Sequence, residues 1–191
     1  MTTRSTSDKD QRFRQILALI DRLGRLIASE RWSDQVNPAQ MSALDYLLRS
    51  NRFSHAPSHV ADYLGTTRGT MSQTLKTLAR KGFVEEHRSQ EDRRSISYEL
   101  TQTGRELVQQ PSDLIEALKN LPSEDCKLLE GVLTQSLRDV ISRREGRAFG
   151  LCKDCRYHKN AANSQGEGGY CTLLNLALQP EEADLICHEY A

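Results

Sequence analysis

At 191 residues the chain is long enough for one well-buried domain and a small appendage, and too short for two full domains. Hydrophobic residues make up 37% and charged residues 27%, with 11 Gly and 5 Pro, a mix that excludes collagen-like and fully disordered chains. The formal net charge is +0, so any attraction to nucleic acid has to come from local charge and not from the field of the whole chain.

The opening MTTRSTSDKDQRFRQ lacks the apolar core of a signal peptide, and no apolar run reaches the roughly 18 residues that span a bilayer; a cytoplasmic location is expected. Phe13, Ile16, Leu17, Ile20, Leu23 and Ile27 recur at three- and four-residue steps and predict a first helix over about residues 8–29. A second begins at Asn37-Pro38-Ala39-Gln40, where Asn37 can cap, Pro38 suits the first helical position and Gln40 can bond back; Met41, Leu44, Leu47 and Leu48 form its buried stripe. Pro57 starts a short third helix through Val60, Ala61 and Leu64, and Gly65 ends it. Thr66 is expected to cap the fourth, which turns Met71, Leu75 and Leu78 inward and Arg68, Ser72, Gln73 and Lys76 outward. The third and fourth helices make a helix-turn-helix candidate over about residues 57–81.

From Phe83 to Leu100 the pattern changes to two strands around the polar turn Ser89-Gln90-Glu91-Asp92, with Ile96, Tyr98 and Leu100 alternating as a hairpin with one covered face requires. Thr101 should cap a fifth helix carrying Leu107, Leu114, Ile115 and Leu118. Ser123 should cap a sixth with Glu124 and Asp125 in its first turn. Leu129, Leu133, Leu137, Val140 and Ile141 on that sixth helix approach a heptad seam, which suits a dimer interface or, in the plainer alternative, an intramolecular core.

Local charge is informative where net charge is not. Residues 66–94 carry Arg68, Lys76, Arg80, Lys81, Arg88, Arg93 and Arg94 against Glu85, Glu86, Glu91 and Asp92, a basic excess; residues 152–191 are acidic and ill suited to grip DNA. A helix that reads the major groove must bury one side and present donors from its first turns, which makes Arg68, Thr70, Ser72 and Gln73 base-edge or groove candidates and Lys76 a phosphate contact. Arg93 and Arg94 are placed to reach the minor groove or its phosphates.

Residues 37–104 resemble the multiple antibiotic resistance regulator (MarR) family of winged-helix repressors. The resemblance is carried by Val60-Ala61-Asp62-Tyr63-Leu64-Gly65, Thr67-Arg68-Gly69-Thr70-Met71-Ser72, Leu78-Ala79-Arg80-Lys81-Gly82-Phe83-Val84, Asp92-Arg93-Arg94 and Leu100-Thr101-Gln102-Thr103-Gly104. It implies a mainly α fold, a winged helix-turn-helix (wing about 83–100) flanked by dimerisation helices over residues 1–146, and a homodimer on a pseudo-palindromic, double-stranded DNA operator. A small-molecule effector in the cleft beside the dimerisation helices is a further implication.

Residues 147–191 extend past the usual end of that family. Four of the five cysteines, Cys152, Cys155, Cys171 and Cys187, crowd into this tail, and in a reducing compartment such a cluster points to a metal before it points to disulfides. A metal is also the natural stabiliser for so short a segment. One C-x-x-C pair followed by two single thiols leans toward iron and sulfur over zinc, which commonly uses two close pairs. The runs around Cys152, Cys171 and Cys187 are similar to the small fold of high-potential iron proteins. That similarity implies a [4Fe-4S] cluster on the four thiolates with Tyr157 and Tyr170 as shields, and zinc is the alternative. His158 and His188 are expected to be neighbouring or surface groups, and Cys126 a packing residue. The functional expectation is a repressor that senses redox state, nitric oxide or iron through the tail. A zinc-stabilised, ligand-responsive repressor and an electron-transfer or accessory protein are the alternatives. No nucleophile, base and orienting group form a set, so an enzyme is not expected.

Overall fold

The helical stripes and the single alternating segment translate into a helical frame with one inserted hairpin. The structure is a computed structural model that describes residues 3–32, 34–88, 95–160 and 168–191. Its helices are α1 (Thr3–Glu30), α2 (Pro38–Arg49), α3 (Pro57–Leu64), α4 (Arg68–Arg80), α5 (Gln102–Val108), α6 (Asp113–Lys119) and α7 (Ser123–Arg143). Strands β1 (Val84–Arg88) and β2 (Ile96–Leu100) pair antiparallel from Val84↔Leu100 to Arg88↔Ile96. No helix among the described residues is long and apolar enough to cross a membrane.

Most of the core follows the predicted stripes, with Leu44, Val60, Leu75, Leu78 and Tyr98 buried to join α2, α3, α4 and the hairpin; Tyr46, outside the predicted α2 stripe, is buried with them, and Leu48 and Leu64 are only partly buried. Asn37 caps α2 in a full capping box with Gln40, at 2.9 and 3.2 Å, and Pro38 occupies the first turn. Gly104 is required where α5 approaches the hairpin, because a Cβ there would collide with the Phe83 carbonyl oxygen.

Four local expectations are corrected. The first helix is longer than the apolar stripe and runs from Thr3 to Glu30. Thr67, not Thr66, caps α4: the Thr66 N–H is spent on the Ala61 carbonyl (3.0 Å) in closing α3, which leaves Thr67 Oγ1 to accept from Thr70 N at 3.2 Å. The fifth helix is two, α5 and α6, since Pro111 has no N–H and disfavours helix in the residue before it, and Ser112 then caps the second piece. Ser123 is the first residue of α7 and Pro122 takes the cap position without a side-chain bond.

The flanking helices settle the question left open for the apolar seam. Neither α6 nor α7 has a buried residue, and Leu17, Leu128, Val132 and Leu137 are all more than half exposed. The seam is therefore not an intramolecular core. Helix α1 shows the same pattern at Phe13, Ile16, Leu17 and Ile20, and Ser112 Oγ donates to Glu30 Oε2 at 2.7 Å, bringing the end of α1 beside the start of α6.

The tail is built from two-residue strands. Strand β3 (Gly150–Leu151) pairs antiparallel with β7 (Ile186–Cys187), and β4 (His158–Lys159), β5 (Tyr170–Cys171) and β6 (Leu176–Ala177) form a second small sheet. It is not an independent bead on a linker. Ile186 is buried in the main core with Phe149 and Leu151 packed beside it, and β7 bridges in parallel to Ser50 at the end of α2.

Candidate nucleic-acid interface and cysteine cluster

Helix α4 is held by both of its ends and by one face. Gly65 adopts φ 64, the left-handed geometry that lets α3 stop and the chain turn at once into α4. Met71, Leu75 and Leu78 bury one side. On the other, Arg68, Thr70, Gln73 and Lys76 are exposed and Ser72 is half-buried. The threonines spend their hydroxyls locally: Thr70 Oγ1 lies 2.8 Å from Thr67 Oγ1, while Thr74 and Thr77 donate to the carbonyls of Thr70 and Gln73 at 3.0 and 2.9 Å. Among the described residues neither Arg68 nor Lys76 is in a salt bridge. The long donors Arg68, Gln73 and Lys76 thus remain available to an outside partner, with Thr70 committed to the cap.

In the hairpin, Tyr98 Oη donates to Glu86 Oε2 at 2.8 Å, and Arg88 reaches Glu86 Oε1 at 2.9 and 3.0 Å. Those two donors hold the Glu86 carboxyl below its ordinary pKa, and burial with the Glu86 bond pushes the Tyr98 phenol up to about 12. Arg88 is therefore tied to its own strand. Arg93 and Arg94 lie outside the described residues, which stop at Arg88 and resume at Ser95.

Residues 34–95 match the MarR family model. This segment is similar to the family's winged helix. The chain is similar to the Streptococcus pneumoniae FabT crystallised with DNA, at 25% identity over 69% of this chain and 97% of that one, with TM-score 0.54. The S. aureus MepR of a MepR–DNA complex is similar in fold at 21% identity, 68% and 96% coverage and TM-score 0.51. So is a MarR family protein from Bacillus stearothermophilus, at 19% identity, 73% and 98% coverage and TM-score 0.52. No curated protein matches the chain.

Against this MarR-like domain the tail sets its four cysteines. All are free thiols; Cys152, Cys171 and Cys187 are buried and Cys155 half-buried. They lie within electrostatic reach of one another. Burial first, then the neighbouring Cys187, Cys171 and Cys155, pushes the Cys152 thiol up to about 12, and burial also raises Cys187. Among the described residues no group of three or more His, Cys, Asp or Glu side chains is gathered tightly enough to hold a metal ion. His158 Nδ1 sits 3.7 Å from Cys152 Sγ, and Tyr157 packs with Leu174 and Leu176 against Cys152 and Cys171, while Tyr170 donates its hydroxyl to Asn175 at 2.6 Å. Cys126 is away from this group, beside the carbonyls of Leu118 and Leu121.

His188 is not a surface histidine. It is 3% exposed, stacked on His59 of α3 with ring centroids 3.7 Å apart, and its Nε2 meets Arg147 at 2.9 Å. Burial first, then His59 and Arg147, lowers its pKa to about 4, so the ring is neutral at physiological pH. Sequence spacing also gives no sign of the residues that receive the tail. Asn51 N donates to Ile186 O at 2.9 Å and Ser54 Oγ accepts from His188 N at 2.8 Å. Arg52 pairs with the buried Glu182 at 3.2 Å. Phe53 packs against the Cys152–Cys171 cluster.

Proposed function

We propose that the chain is a DNA-binding transcription regulator that acts as a homodimer on a pseudo-palindromic operator and represses when bound. The observation that carries this reading is the outer face of α4, where Arg68, Gln73 and Lys76 stand exposed on a helix whose opposite side is locked into a MarR-family winged helix. FabT, similar in structure, was crystallised with DNA, which supports the same use of the fold. Arg68 suits guanine, Gln73 suits adenine, Lys76 suits phosphate, and Arg93 and Arg94 extend the contact from the wing.

The dimer follows from the apolar faces of α1 and α7. A second copy of the chain, presenting the same seam, is the occupant that such a face fits.

The finer reading assigns Cys152, Cys155, Cys171 and Cys187 to one metal centre, with a [4Fe-4S] cluster favoured over zinc, and makes operator binding depend on redox state, nitric oxide or iron supply. Four soft thiols, three buried and Cys155 half-buried, that are unpaired as disulfides support it. Anaerobic purification with metal and sulfide analysis tests it, followed by operator titration of loaded and stripped dimers. A brown protein with iron and sulfide, binding DNA differently from the stripped form, is expected. A colourless protein with one zinc per chain would replace the cluster with zinc. Equal operator affinities would remove the sensing role.

A further inference from the structure

The chain leaves α1, which carries part of the apolar dimer face, at Glu30 and enters α2 of the winged helix at Pro38. The joint between them is pinned on both sides. Toward the flanking helices, Ser112 at the start of α6 bonds Glu30. Toward the winged helix, Arg31 pairs with Asp45 of α2 at 3.5 Å, Val36 is buried in the core and Asn37 caps α2. A short joint held in this way sets the angle between the dimer face and the winged helix.

Lys81 ties the same joint to α4. It caps the end of α4, where its backbone N–H donates to the Thr77 carbonyl at 3.1 Å. Its side chain reaches 46 positions back along the sequence, and Nζ donates to Gln35 O at 2.6 Å and to Gln40 Oε1 at 3.3 Å. Gln40 Oε1 also accepts from Asn37 N, so the ammonium joins the capping box of α2. Among the described residues Lys81 is in no salt bridge; uncharged oxygens are its acceptors, and a charged donor bonds them more strongly than a neutral one does. Lys76 on the outer face of α4 keeps its charge for an outside partner, whereas Lys81 spends its own on the protein.

Resting on the reading of α4 as an operator-reading helix in a homodimer, we propose that Lys81 is a positioning residue, which fixes α4 against the segment leading from α1 and so sets the distance and twist between the two α4 helices of the dimer. One base pair more or less between half-sites moves them by about 3.4 Å and turns them by roughly 35° relative to each other. A dimer with stiff joints does not follow that change. Without the Lys81 bonds each winged helix swivels on its joint and accepts the altered spacing. The half-site sequence is still read as before, because Arg68 and Gln73 keep their places on α4.

The test uses the full-length protein and the duplex it selects from random DNA, with versions of that duplex that have one base pair inserted or removed between the half-sites. Wild type and Lys81→Arg, which keeps a charged donor, should share one spacing preference. Lys81→Met keeps the apolar stem and removes the donors, and its spacing preference should fall about 10-fold, within the range for losing a hydrogen bond to a charged group. Lys81→Gln, a second neutral replacement, should behave like Lys81→Met and stands in for it if methionine impairs folding. In both, the slope of log affinity against log salt should match wild type although a charge is gone; loss of a phosphate contact in each copy would lower it by about 1.8. An unchanged spacing preference in the neutral variants, or a slope lowered by that amount, would overturn the proposal. No sequence-specific complex from wild type would instead remove the operator-reading assignment on which it rests.

Discussion

Lys76→Ala is a clean perturbation of the DNA-reading face. The side chain is exposed on α4 and in no salt bridge among the described residues, and alanine is the better helix former, so folding stability should stay within about 0.5 kcal/mol. A dimer carries two copies of α4, and each lost phosphate contact removes about 0.9 from the slope of log affinity against log salt, so the slope should fall by about 1.8. Between about 50 and about 200 mM salt, wild type should therefore lose roughly 12-fold more affinity than the variant. Fluorescence anisotropy on one labelled operator across a salt series measures both slopes. Equal slopes for variant and wild type would refute the phosphate assignment, and a reduced melting temperature would refute the claim that Lys76 has no folding role.

The remaining predictions address other contacts. Arg94→Ala should weaken binding on every sequence and flatten the salt dependence, and unchanged affinity would remove the wing from the interface. Gln73→Ala should relax preference at one base position by about 1–3 kcal/mol, measured on a panel of single-site operator variants; equal losses on all of them would make Gln73 a backbone contact. Gly104→Ala should destabilise by about 1–3 kcal/mol in urea unfolding because its Cβ meets the Phe83 carbonyl, and an unchanged midpoint would contradict that packing. Tyr98→Phe removes the first of the two donors that depress Glu86. A depressed carboxyl adds stability above its unfolded pKa and loses it as pH falls through the folded value, so the gap between wild type and Tyr98→Phe should shrink in acid. A gap independent of pH would refute the coupling.

What the sequence discloses, and what it hides, divides by range. The Asn37–Gln40 capping box, the Gly65 turn, the buried stripe Met71–Leu75–Leu78 and the Thr101 cap are local arrangements, each set within about one helical turn, and each is where the pattern put it. The Pro111 break is equally local, but the apolar spacing continues across it from Leu107 to Leu114 and masks it. The docking of the tail had no such signal. Ser54 and His188 meet across 134 positions, and nothing in the runs around either one marks the partner. Asn51 reads in sequence as an ordinary loop residue, and its burial to 1% exposure is created only by the fold. The flanking helices show the reverse case: their seam is plain in the sequence, while setting aside an intramolecular core needs the observation that α7 has no buried residue.

Selection of bound sequences from random duplex DNA by the full-length protein is the most direct test of the central claim. Enrichment of a pseudo-palindrome with half-sites about one helical turn apart, with the preference relaxed at one position of each half-site in Gln73→Ala, is the predicted result. Binding without sequence enrichment, or no binding at all, would contradict the assignment of α4 as an operator-reading helix.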